Sequence, residues 1–410
     1  MKLINQKALR TVIVFYFISV FLLISTALAE EPSTTQRLQS FKTSFADARA
    51  SFLANIEELK QHNPHLRTHT VQIPTRTSEN LQMDVAYIPP LSGKKERLLI
   101  LTSGVHGMEG FVGSALQNQF TKENFWQLRD ANLGILLIHA INPYGFKFNR
   151  RVTENNVDLN RNFDTSTDLF TLKNEGYKKV DSLLNPTEVA HGGIWDRLKF
   201  YFDCVKAIVK HSMESLRRAI LRGQYEFPNG IYFGGTGFEP QKDLIEKEIL
   251  EVAPGYEQTL LVDLHTGYGR RGQLHLFSDQ TPDMDPVYLQ NIFAGYELES
   301  GQKKDFYAVS GGLVVYLAKL LKSKSKFAGI VFEFGTLDSQ KTVGSLDSLY
   351  RMVRENQKFH YGAHSKAEDE EINHAFAELF YPESPEWRQA VSQQFQEVLS
   401  RALTNLKELK

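Results

Sequence analysis

Apolar positions along this chain recur with two different periods, and their alternation predicts layers of helix and strand. Over residues 33–62, Leu38, Phe41, Phe45, Ala48, Phe52, Ile56 and Leu59 fall at helical spacing, and the Asn63-Pro64 pair stops the run. Strand-like stretches follow at 68–73 and 81–88. Two continuous apolar runs, 98–101 and 133–141, then read as buried strands with a helix over 111–128 between them. Further apolar strands are expected at 260–264 and 329–335, and another at 273–278. Near the C-terminus, Ser384 is a candidate N-cap with Pro385 at the first helical position. The stripe Trp387, Val391, Phe395, Val398, Leu399, Ala402 and Leu406 that follows is core packing. Strands alternating with helices in this way predict an α/β sheet covered on both faces.

Between about 165 and 240 the pattern changes. Residues 194–223 carry Trp195, Leu198, Phe202, Val205, Ile208, Met213, Leu216 and Ile220 at helical spacing. Lys199, Lys206, Lys210, Arg217, Arg218 and Arg222 give the segment a basic face. The simpler reading is a solvated helical insertion packed on the core, and the sharper one is contact with a membrane surface or an acidic polymer. The segment ends in two turn-rich stretches, 227–230 and 234–237, placed to border an active site. No internal repeat or low-complexity linker interrupts the chain.

The first residues change the expected compartment. Lys2, Lys7 and Arg10 precede an apolar run over 11–26, and Ala27-Leu28-Ala29 forms a small-residue cleavage site. Residues 1–29 are therefore expected to be a signal peptide, with an uncleaved N-terminal anchor as the alternative. The mature chain, 30–410, would be periplasmic or secreted, without a stable membrane span. Loss of three cations would move the formal charge from −1 to −4, which gives no basis for nucleic acid as a partner. Cys204 is the only cysteine, so no intrachain disulfide can form and stability must come from a large core.

The chemistry concentrates at strand ends. His106 and Glu109 are separated by two residues in HGMEG, after the apolar run 98–101, and His265 follows a second apolar strand. Two imidazoles and a carboxylate suit borderline-soft zinc, and three protein ligands leave one position open, the catalytic pattern. Functional loops of such sheets lie at the carboxyl ends of strands, where His106, Asn142 and His265 all fall. Glu333 interrupts an apolar strand, and a buried carboxylate needs a metal, a partner or a proton nearby, as the base of a hydrolytic site does. The loop around 149–163 adds Asn149, Arg150, Arg151, Asn160, Arg161 and Asn162, whose guanidinium groups can grip a carboxylate or polarise a carbonyl.

Several signals are discounted. Gly267-Tyr268-Gly269-Arg270-Arg271-Gly272 matches a dinucleotide fingerprint, but a strand is expected next where that fold needs a helix. His139 and His275 read as satisfied structural histidines, and Ser310 lacks a nucleophile elbow. Asp263 shares a strand face with His265, so it either orients a site residue or forms a plain buried ion pair.

In order and character, the set HGMEG, NPYGF, RRVTENNVDLNRNF, DLHTG, FYAVSGG and VFEFG resembles the zinc carboxypeptidase superfamily. That superfamily also contains succinylglutamate desuccinylase and aspartoacylase relatives. A little-characterised bacterial branch is the closer match, similar also in GQYEFPNGIYFGG. The resemblance implies a mixed central β-sheet flanked by helices on both faces, as one catalytic domain with the helical insertion. It implies one Zn²⁺ per chain held by His106, Glu109 and His265, with Glu333 as general base and acid. By the same resemblance, Arg151 stabilises the oxyanion, although Arg150 beside it competes for that role. Asn160, Arg161 and the mobile Tyr307 bind substrate, and Asp158 orients a ligand histidine. The implied activity is a metallocarboxypeptidase cleaving peptides, cell-wall peptides among them. The alternatives are a deacylase of N-acyl amino acids and a non-catalytic peptide-binding relative.

Overall fold

A computed structural model describes residues 34–77, 79–123, 132–278, 281–300 and 310–409. The expected signal peptide and Tyr307 lie outside the described residues, as does the end of the helix expected over 111–128. The chain opens with helices α1 (Thr34–Gln39) and α2 (Phe45–His62), then strands β1 (Arg67–Gln72), β2 (Gln82–Ile88) and β3 (Arg97–Ser103). Helix α3 (Gly110–Glu123), β4 (Leu133–His139) and the short α4 (Pro143–Lys147) follow. Helices α5 (Glu175–Lys178), α6 (Asp181–Leu184), α7 (Gly193–His211) and α8 (Met213–Leu221) lie in the segment whose pattern changes. After α9 (Pro240–Val252) come β5 (Gln258–Gly267), β6 (Leu274–Ser278), α10 (Pro286–Ile292) and β7 (Leu298–Ser300). The last elements are α11 (Leu313–Leu321), β8 (Lys326–Gly335), α12 (Thr342–Tyr361), α13 (Lys366–Phe380) and α14 (Pro385–Glu408).

The strands form one eight-stranded sheet in the order β1-β2-β4-β3-β5-β8-β6-β7. Its centre, β4-β3-β5-β8, is parallel, and antiparallel pairs on either side make the sheet mixed. The central strands are apolar throughout because both faces are covered. On β3, Leu99 and Leu101 face a cluster with Phe52, Phe120, Phe395 and Leu399, while Leu98 and Ile100 face one with Ile245, Ile249 and Leu317. The architecture is the mixed, helix-flanked α/β sheet expected from the sequence.

Two expectations need correction in detail. The helical spacing over 33–62 is realised as two helices, because the Ser44 side chain accepts a hydrogen bond from the Asp47 N–H and starts α2 afresh. The spacing over 194–223 likewise breaks at Ser212, which has a positive φ of 64° and caps α8 through Ser215. The C-terminal helix begins as read, with the Ser384 hydroxyl accepting from the Trp387 N–H. Among the described residues, no helix is long and apolar enough to cross a membrane.

From β3 the chain crosses to β4 on one side, whereas β5 lies on the other side of β3. The crevice outside the carboxyl ends of β3 and β5 is thus a switch point of the sheet, the usual place for a ligand.

Candidate functional site

His106 and Glu109 lie in the turn between β3 and α3, and His265 is two residues from the end of β5. The turn is held by backbone pairing with the arginine loop: the Gly107 and Met108 N–H groups donate to the carbonyls of Arg151 and Arg150, at 3.0 and 2.9 Å. Asn142 braces the same region, its side-chain amide donating to the Arg151 carbonyl and its oxygen accepting from the Gly145 N–H. Gly107 meets Gly145 so closely that a Cβ on Gly107 would lie 2.1 Å from the Gly145 carbonyl carbon. HGMEG, NPYGF and the paired arginines are therefore one interlocked unit.

The three candidate ligands are buried and converge. His106 Nδ1 lies 2.8 Å from Glu109 Oε1, and His265 Nδ1 lies 3.0 Å from Glu109 Oε2 and 3.2 Å from His106 Nδ1. Behind each ring stands a buried carboxylate: Asp158 at 3.1 Å from His106 Nε2, and Asp263 at 2.6 Å from His265 Nε2. Asp263 also accepts from the Thr102 hydroxyl, and Glu109 from the Thr266 N–H. Asp263 thus orients His265, a candidate ligand, which is the first of its two sequence readings.

This donor set fits a metal. Each Nε2–H is taken by its carboxylate, so both Nδ1 lone pairs point inward at Glu109 oxygens that can only accept. Acceptors facing acceptors require positive charge between them. The 3.2 Å separation of the two Nδ1 atoms is close to the edge, about 3.3 Å, of a tetrahedron with zinc–nitrogen bonds of about 2.0 Å. Without a metal, a proton fills the need. Burial opposes charge on His265, but Asp263 and Glu109 raise the imidazole well above its ordinary value. Burial likewise opposes the Glu109 charge, yet His106 and His265 hold its carboxyl well below the carboxylate range.

Glu333 on β8 pairs in register with His265 on β5, which sets both at the crevice. Its Oε1 accepts from the Tyr268 N–H at 2.8 Å. Desolvation in the crevice, followed by the Glu109 charge, pushes its carboxyl up to about 8. The Gly267–Gly272 stretch is a turn between β5 and β6 that supplies this N–H, with no helix after it.

The two adjacent arginines diverge. Arg150 is turned away, its Nε donating to Glu355 at 2.9 Å and its guanidinium stacked 3.4 Å from the Phe359 ring centroid. Arg151 faces the triad, paired with Asp158 and with its Nε 3.9 Å from Glu109 Oε1. Burial opposes the Asp158 charge, but Arg151 and then His106 hold that carboxyl far below its ordinary value. Asn160 and Arg161 line the same cavity as the triad. Arg161 donates to the carbonyls of Asn160 and Leu221 through Nη1 and Nη2, while its buried Nε has no hydrogen-bond partner.

Tyr232 was missed in the sequence. Its ring lies 5.1 Å from the Arg151 guanidinium and 5.6 Å from that of Arg161, and it lines the cavity. Only its place in the NGIYFGG stretch hinted at this, and its positive φ of 55° is what turns it inward. The cavity measures about 250 Å³. One wall carries the triad, Arg151, Arg161 and Glu333, and the other is apolar, built from α6–α8 by Leu183, Leu184, Ile208, Leu216 and Ile220. Of the discounted histidines, His275 is satisfied, pairing with Glu299 and accepting from the Arg270 N–H, whereas His139 bonds Ser114 through Nε2 and leaves its buried Nδ1 without a hydrogen-bond partner.

The sequence pattern of a family described as "Protein of unknown function (DUF2817)" matches residues 41–394. The chain belongs to this family. No curated protein matches it. Among solved structures it is similar to bovine thrombin-activatable fibrinolysis inhibitor in complex with tick carboxypeptidase inhibitor. That match has 11% identity and a TM-score of 0.40, and covers 77% of this chain and 95% of that one. It is similar also to carboxypeptidase A from Helicoverpa armigera, at 13% identity and TM-score 0.38, over 80% of this chain and 72% of that one. A metallo-carboxypeptidase from Pseudomonas aeruginosa shows 11% identity and TM-score 0.37, over 74% of this chain and 66% of its own length. These likenesses are distant.

Proposed function

We propose that this DUF2817 protein is a zinc-dependent amide hydrolase of the carboxypeptidase type, acting on substrates with a free carboxylate. The observation that carries this reading is the ring of inward-facing acceptors at His106, Glu109 and His265, backed by Asp158 and Asp263 and bordered by Glu333. When bound, zinc supplies Lewis acidity and makes water nucleophilic near neutral pH. Glu333 takes the proton from the attacking water and returns it to the leaving amine. Arg151 stabilises the developing oxyanion from its position beside Glu109. Asn160 and Arg161 hold the substrate carboxylate, for which the unpartnered Arg161 Nε offers a buried donor.

The apolar wall from α6–α8 favours a second reading within the same chemistry, removal of an apolar acyl group from an N-acyl amino acid. Hydrolysis of apolar peptides with free C-termini, of their C-terminal amides, and of N-acyl amino acids separates the two. Either reading requires turnover that a chelator abolishes and zinc restores. It also requires Glu333→Gln to lower kcat by about 10²–10⁴-fold with the metal retained. A zinc-loaded protein that hydrolyses neither class is a binding protein, and the hydrolase reading falls.

A further inference from the structure

Helix α7 carries an apolar face that nothing among the described residues covers. Ile194, Trp195, Leu198, Phe202, Val205 and Val209 are 47–83% exposed, and Trp195 alone is 81% exposed. These six are half of the twelve exposed large apolar side chains among the described residues, so the exposure is concentrated on one element. At about 100° per residue they fall within an arc of about 100° on one side of the helix. The opposite side is anchored, with Phe200 and Cys204 buried and the Phe200 ring 5.6 Å from that of Tyr350. The helix therefore cannot roll its apolar arc inward without giving up its own core contacts.

The borders of the arc identify the occupant. Lys199, Lys206 and Lys210, all exposed, run along one edge at helical spacing. The Lys206 ammonium sits 4.2 Å from the Phe202 ring centroid, its stem lying along the apolar surface and its head at the rim. The acidic residues of the helix offset only part of this charge: Asp203 pairs with Lys206 at 3.1 Å, while Asp196 is turned to Arg354 at 2.6 Å, away from Lys199 and Lys210. Tryptophan, phenylalanine and aliphatic residues over about 100°, rimmed by lysines on a 19-residue helix, make a helix that lies in the interface plane of a membrane. The lysine rim adds attraction to anionic headgroups, which an apolar protein partner would not need.

We propose that α7 docks this protein on an anionic lipid surface, with Trp195, Leu198, Phe202 and Val209 inserted at the headgroup–acyl boundary. The docking is independent of the catalytic reading, because no residue of the outer arc lines the cavity. Combined with that reading, the inner side of the same helix, through Ile208, would receive an apolar chain from the bilayer.

The test reads Trp195 itself, as the difference in emission between the purified protein and its Trp195→Phe variant. Vesicles of phosphatidylglycerol are compared with phosphatidylcholine, each with and without brominated acyl chains. Docking predicts a blue shift and bromine quenching of the Trp195 signal on phosphatidylglycerol, weakened by salt and slight on phosphatidylcholine. Reversing Lys199, Lys206 and Lys210 to Glu should lower partitioning on the order of 100-fold at low salt, with the far-UV spectrum and zinc content unchanged. A Trp195 signal that ignores both vesicle types overturns the proposal. So does a signal already shielded without lipid, where light scattering then shows whether a second copy or the chain's own remainder covers the helix.

Discussion

Arg150 and Arg151 are neighbours in the chain and opposite in what they touch. Arg150 is committed to Glu355 and Phe359, and Arg151 to Asp158 beside the triad. Arg151→Ala should therefore lower kcat by about 10²–10³-fold. Arg150→Ala should leave turnover intact while destabilising the fold by about 3 kcal/mol, since Glu355 is left buried and unpaired. Steady-state kinetics beside urea unfolding checks both, and the reverse pattern would exchange the two roles. Glu333 has a pH signature in the metal-free protein. Its carboxyl is pushed from 4.5 to about 8 in the fold, so the stability it contributes is present below pH 4.5 and lost as pH rises through 8. Glu333→Gln should gain on wild type in urea midpoint between pH 5 and 9 after chelation, and parallel profiles would contradict the assigned environment. The triad was legible because ligand residue types sat directly after apolar strands. Tyr232 was not, because a positive-φ turn in a loop 71 residues beyond Arg161 brings it to the site.

At the scale of elements, the turns do more for the site than the helices. The contact of Gly107 with Gly145 leaves no room for a methyl group, and both neighbours are backbone. Gly107→Ala should thus displace the His106–Glu109 turn, lowering zinc affinity together with thermal stability, whereas Gly93→Ala, with open space around it, should leave zinc affinity unchanged. Zinc titration of the two variants decides this. Periodicity recovered the strands because buried parallel strands are apolar without interruption. It overran helix ends at Ser44 and Ser212, where capping hydroxyls stop a pattern that apolar spacing alone continues. A serine three residues before an acidic residue, as in Ser44 and Asp47, is the signal that would have split the first helix.

At the scale of the molecule, the sheet order places the site. That order was beyond the sequence, since β5 settles beside β3 across 154 residues between their ends and starts through pairings that no local pattern encodes. The α6–α8 wall was seen only as a basic, apolar segment, and its share in the cavity depends on packing against α12. A metal joining β3, β5 and the arginine loop should stabilise the whole fold: at about 1,000-fold excess over its Kd it contributes about 4 kcal/mol. Chelation should lower Tm accordingly, and more so at pH 7 than at pH 5, where protons compete more strongly with the metal for His265. The most direct measurement is metal content by mass spectrometry on the purified protein beside His106→Ala and His265→Ala. About one zinc per wild-type chain, lost in both folded variants, is the predicted result. A metal-free wild type after zinc exposure, or zinc retained in either variant, would contradict the proposed centre.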